Sequence, residues 1–177
     1  MNHSQDTNAD EPATGRAQAQ DPVGTSNDAR GDASAARQSA MATLAAAPPE
    51  TIAEKYGTLS PPAFELVRQP ETGLVMVRGR MGGTGSPFNL GEVTVTRCVV
   101  RLDTGETGSA YSLGRNKQKA LQTAVIDALW QRPETRQTIE NEIIAPLAAA
   151  QAAAKTTVRE ETEATKVNFF TMVRGDT

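Results

Sequence analysis

Residues 78–86, RGRMGGTGS, hold three glycines in four positions (Gly82, Gly83 and Gly85) with Arg78 and Arg80 just before them. A glycine-rich loop beside arginines could cradle a phosphate. A P-loop needs GxxxxGK[ST], with a lysine for the outer phosphates and a hydroxyl for the metal, and no lysine follows the last glycine here. A dinucleotide fingerprint needs its glycines between a strand and a helix, whereas Pro87 and a strand-like run follow Gly85. The plain reading is a strand-to-strand turn that needs positive φ angles. The sharper one is a nest of backbone N–H groups facing an anion, with Arg78 and Arg80 on one face of the preceding strand. A second basic group comprises Arg97 and Arg101, four apart on a strand, and Arg115, Lys117 and Lys119 at the start of a helix. Cations at a helix N-terminus oppose the helix dipole. These residues form either a solvated or salt-bridged face, or a contact for an anionic ligand or an acidic partner surface.

Catalytic constellations are thin. The single histidine, His3, lies near the N-terminus, so the rest of the chain offers no Ser-His or Cys-His pair and no histidine metal ligand. Cys98, between Arg97 and Val99, reads as a small buried hydrophobe rather than an activated thiol. Glu160, Glu161 and Glu163 read as a solvated helix face, and Asp127 as a polar-face residue. No complete active site, catalytic residue or metal site is assigned. An apolar terminal strand that asks to be covered suggests a subunit rather than a free-standing enzyme.

These residues must be positioned by a domain that starts after an acidic tail. Residues 1–36 carry two arginines against six acidic side chains, with no aromatic, Leu or Ile, and read as disordered. With 18 basic and 21 acidic residues in the chain, residues 37–177 keep 16 and 15. That near-neutral body argues against a general nucleic-acid binder. No apolar run is long enough to span a membrane. One cysteine and no signal-like start fit the cytoplasm.

Helical spacing covers 34–47, and PPETIAEKYG opens a second, short helix. Strands are expected at 63–69, 74–81, 91–102 and 107–114, with turns at PETG (70–73) and DTGE (103–106). A helix follows over 115–131, its apolar stripe leaving Lys117, Lys119, Gln122 and Gln131 outside it. Another runs over 135–145 until Pro146 breaks or kinks it, and a long alanine-rich helix covers 147–166. VNFFTMVRGD (167–176) reads as a strand apolar on both faces. The expected fold is one α+β domain over 37–177. It is an antiparallel meander of about four strands plus a C-terminal strand, with N- and C-terminal helices packed on the sheet.

Several segments resemble the PhnG family, the G subunit of the bacterial carbon–phosphorus lyase core complex. They are PETGLVMVRGRMGGTGSPFNLGEVTVTRCVVRL, TGSAYSLGRNKQKA, IDAL, IIAPL and VNFFTMVRGD. The acidic tail and the alanine-rich 148–154 run depart from the family pattern. The resemblance implies a cytoplasmic complex with H, I and J subunits, two copies of each, and an ABC-type ATPase-like partner, with neither nucleic acid nor membrane among its partners. It implies that the complex attaches an alkylphosphonate to the ribose of ATP in place of adenine, giving α-D-ribose 1-methylphosphonate 5-triphosphate. The J subunit, an iron–sulfur S-adenosylmethionine radical protein, then breaks the carbon–phosphorus bond after pyrophosphate release. ATP, zinc and the iron–sulfur cluster belong to the complex, and no cofactor is implied for this chain. The I subunit alone resembles a nucleosidase. The G subunit is needed for the coupled transfer, and no family catalytic residue carries over to it. Two roles are open at this point. One is a structural and modulating partner of the I subunit. The other is a contact through Arg78, Arg80, the glycine loop and Arg97 to triphosphate or phosphonate in a shared site.

Overall fold

The computed structural model describes residues 25–165, with side chains from residue 31 onward. The strand expected at 167–176 lies outside the described residues. Helix α1 spans Thr25–Ala46 and α2 spans Pro49–Gly57. Strands β1 (Phe64–Arg80), β2 (Pro87–Leu102) and β3 (Thr107–Leu113) follow, then α3 (Lys117–Gln131), α4 (Pro133–Ile139) and α5 (Ala145–Ala164). Residues 31–36 of α1 are exposed, and Arg37 is its first half-buried side chain.

The described sheet has three antiparallel strands in the order β1-β2-β3, not a four-strand meander. PETG is not a turn. β1 runs straight through it, and the ladder with β2 absorbs it by shifting register between Leu66 and Arg68 and again between Arg68 and Glu71. Pro70 falls inside the second shift. A residue without an N–H is tolerated there because β1 is an edge strand and the bulge leaves its extra residue unpaired. The real turn is Met81–Gly83, one turn of 3-10 helix, where Gly82 and Gly83 adopt φ of 60° and 80°. Side chains rarely tolerate that region, so the reading of the glycines as turn-makers holds.

Alternation divides the sheet into two faces. Thr96, Cys98, Val100 and Leu102 of β2, with Ala110 and Ser112 of β3, form the buried face under α3. α3 is buried almost all round, because α1, α2 and the α4–α5 arm cover the side turned away from the sheet. Leu44, Ile52, Ile139, Ile143 and Leu147 close that second layer. Lys119 and Gln122, expected on an outer face, are therefore buried. A single apolar stripe predicts one covered side, and here two sides are covered. Pro146 does not end the chain's helical course. A π turn at Glu140–Ile144 precedes it, and α5 starts with the proline in its first turn, where no N–H is needed.

Candidate functional site

The basic residues separate into two groups. Arg97 donates to Glu71 at 2.6 Å and Arg101 to Glu65 at 2.6 Å, each across the β1–β2 ladder, while Arg68 adds a contact to Glu71 at 3.2 Å. All five side chains are roughly half exposed, so the pairs contribute only tenths of a kcal/mol to about 1 kcal/mol each. Their significance is that each of these three arginines already has a carboxylate partner, Glu71 being shared by two of them. Arg97 and Arg101 thus follow the salt-bridged reading.

Arg78, Arg80, Arg115 and Lys117 are exposed and have no ion-pair partner among the described residues. The alternation places Arg78 and Arg80 beside Leu74 and Met76 on the sheet face opposite that of Arg97 and Arg101. Arg115 and Lys117, at the entrance to α3, line a hollow with Thr72, Leu74 and Thr94. The sequence-derived set is therefore split by the sheet, and only Arg78, Arg80, Arg115 and Lys117 share a side.

The glycine loop closes on itself through the Met81 carbonyl. Thr84 and Gly85 both direct their N–H groups at the Met81 carbonyl, the latter at 2.9 Å, and the Arg80 guanidinium donates to the Gly85 carbonyl at 3.2 Å. Two of the loop's backbone donors are thus engaged within the turn. A Cβ on Gly85 would stand 2.6 Å from the Met81 carbonyl oxygen, so this glycine is required by close approach.

Three buried polar groups hold the frame. Asp127, 2 % exposed, accepts from Arg37 Nε at 3.0 Å and Nη2 at 2.7 Å, and from the Ser109 backbone N–H at 2.8 Å. It ties α1 and β3 to α3 and is not the polar-face residue expected. The contact raises the Arg37 pKa further above its ordinary value, chiefly through the hydrogen bond. Cys98 is fully buried, its thiol donates to the Arg68 carbonyl at 3.5 Å, and burial pushes its pKa up, as expected of a structural cysteine. Lys119 donates to the Ala45 carbonyl at 2.7 Å, supplying a partner to the last turn of α1.

Burial lowers the Lys119 pKa. Below the depressed folded value the ammonium is charged in both states, and its desolvation cost is fully present. Between the folded and unfolded values the unfolded chain binds more protons, so stability from this group rises with pH. The melting temperature of the wild-type chain should therefore gain on that of Lys119→Met as the pH rises toward the ordinary lysine range. A pH-independent difference would contradict this.

Sequence reasoning missed the apolar exposure. Beyond the end of β3, where Leu113 pairs with Val95, β1 and β2 continue as a two-stranded ribbon. It carries Leu74, Met76, Phe88 and Leu90, all exposed, with Met81 at 76 % in the connecting turn. The available signal was the LVMV run, apolar at consecutive positions and so on both faces. Among the described residues no group of three or more His, Cys, Asp or Glu side chains could hold a metal ion.

The family model described as phosphonate metabolism protein PhnG matches residues 35–175, most of the chain. The chain belongs to the PhnG family. A curated relative, the alpha-D-ribose 1-methylphosphonate 5-triphosphate synthase subunit PhnG of Rhizobium meliloti (strain 1021), is 51 % identical over 117 residues. The match covers 65 % of this chain and 73 % of the relative. No helix among the described residues is long and apolar enough to cross a membrane.

Proposed function

We propose that this chain is a subunit of alpha-D-ribose 1-methylphosphonate 5-triphosphate synthase in phosphonate breakdown. Its partners are the H, I and J subunits of the carbon–phosphorus lyase core, two copies of each, with an ABC-type ATPase-like protein, in the cytoplasm. Its role is to hold the nucleosidase-like I subunit in a form that gives the ribose of ATP to an alkylphosphonate instead of to water. The carrying observation is the 51 % identity to a chain named as a subunit of that synthase. The chemistry of this chain agrees. Its described residues include no histidine, the buried Asp127 is engaged by Arg37 and Ser109, and the thiol is sealed inside. ATP, zinc and the iron–sulfur S-adenosylmethionine chemistry are assigned to the partner subunits. An anion contact by the glycine loop and Arg97 is disfavoured by the Met81 carbonyl contacts and the Glu71 pair.

Co-expression with the I subunit tests the reading. The expected result is one complex that elutes as a single peak in size-exclusion chromatography. Separate elution of the two chains under all salt conditions would overturn it.

A further inference from the structure

We infer that the Leu74–Arg80 half of β1, with the entrance to α3, is the surface on which a neighbouring protein subunit docks, and that this subunit presents an apolar strip rimmed by carboxylates. The inference rests on the subunit reading above. Its first support is mechanical. Opposite Leu74–Arg80, β2 has β1 as its one strand neighbour among the described residues, because β3 ends at Leu113 opposite Val95. A two-stranded ribbon is marginal in water and gains independent stability from a third element. β1 is also an edge strand among the described residues, and this half lacks the proline of its first half; its one register shift, between Val77 and Arg78, puts the extra residue, Leu90, on β2 and leaves β1 itself regular.

The second support is charge. Leu74 is 63 % and Met76 47 % exposed, and Arg78, Arg80, Arg115 and Lys117 surround them. Glu92, opposite Met76 on β2, is the acidic residue of this face of the ribbon, so four cations stand against one carboxylate. On the other face the same sheet gives Arg68, Arg97 and Arg101 carboxylate partners in Glu71 and Glu65. A fold that pairs its charges on one side and leaves them open around an apolar centre on the other is complementary to an acidic, apolar-centred surface. A small anion such as a triphosphate would use the cations and leave Leu74 and Met76 without purpose.

The test uses the chain co-expressed with the H, I and J subunits and captured by a tag on this chain. Leu74→Asp/Met76→Asp and Arg78→Glu/Arg80→Glu should each leave the melting temperature of the isolated chain unchanged. Each should lower recovery of the other subunits at least tenfold, the scale expected from losing central interface contacts. Arg78→Gln/Arg80→Gln, gentler on the fold, should flatten the salt dependence of assembly seen with the wild type. Full assembly of all three variants overturns the inference while the subunit reading stands. Full assembly with loss of synthase activity overturns it in favour of a small anionic ligand. A wild-type chain that captures no subunit defeats the subunit reading itself.

Discussion

Gly108→Ala should be the most damaging single methyl that can be added to this protein. A Cβ at residue 108 would stand 2.0 Å from the Ala124 carbonyl oxygen, 2.5 Å from the Ala128 nitrogen and 2.8 Å from the Ala128 side chain. Two of these are backbone atoms of α3, which no rotamer change can move. Gly108 is buried on β3 and pairs with Val100, itself fully buried, so the strand cannot shift outward without opening the core. α3 and β3 meet here through a glycine and two alanines, and that spacing lets the helix lie directly on the strand. Overpacking a tight core costs about 1–3 kcal/mol and more where backbone must move. We expect the upper end, about 3 kcal/mol, read as a drop of roughly 10 °C in melting temperature for a domain of this size. Gly57→Ala, at a position where the added methyl meets nothing within 4 Å, should stay within a degree or two and serves as the control. A Gly108→Ala protein that melts like the wild type would show that α3 does not pack on β3 as described.

Asp127→Ala should cost about 2–4 kcal/mol in denaturant unfolding. The carboxylate has three donors, two from Arg37 and one from the Ser109 main chain, and its removal orphans all of them. Arg37 keeps a third of its side chain in water and recovers part of its hydration, which places the loss below that of a fully enclosed pair. The Ser109 N–H and the space left in the core carry the rest. Asp127→Asn retains an acceptor and should lose less. Arg37→Met/Asp127→Leu, which removes both charges, should also lose less than Asp127→Ala, because no uncompensated guanidinium remains. Equal losses in all three variants would show that the site acts through shape and not through the ion pair.

Much of the architecture was legible from local signals. Pro49 at a helix start, the Val- and Thr-rich β2, the turn after it and the positive-φ glycines each have a local cause, and each was found where expected. The failures share a different cause. PETG has the composition of a turn, and only the β2 ladder decides that it is a bulge in one strand. Asp127 and Lys119 look like surface residues on a helical wheel, because the wheel cannot reveal a second layer of helices over α3. The basic residues were visible in the sequence, but pairing partners 26 and 36 positions away decided which were free, and no spacing rule reaches that far. The ribbon was missed for the same reason, since an apolar strand looks alike whether it is covered or open.

The central claim is that this chain redirects ribosyl transfer from water to phosphonate. The I subunit, with ATP and methylphosphonate, should be assayed by phosphorus NMR within a complex assembled with or without this chain. The account predicts α-D-ribose 1-methylphosphonate 5-triphosphate when the chain is present and ribose triphosphate with free adenine when it is absent. Equal formation of the ribosyl phosphonate in both preparations would contradict it.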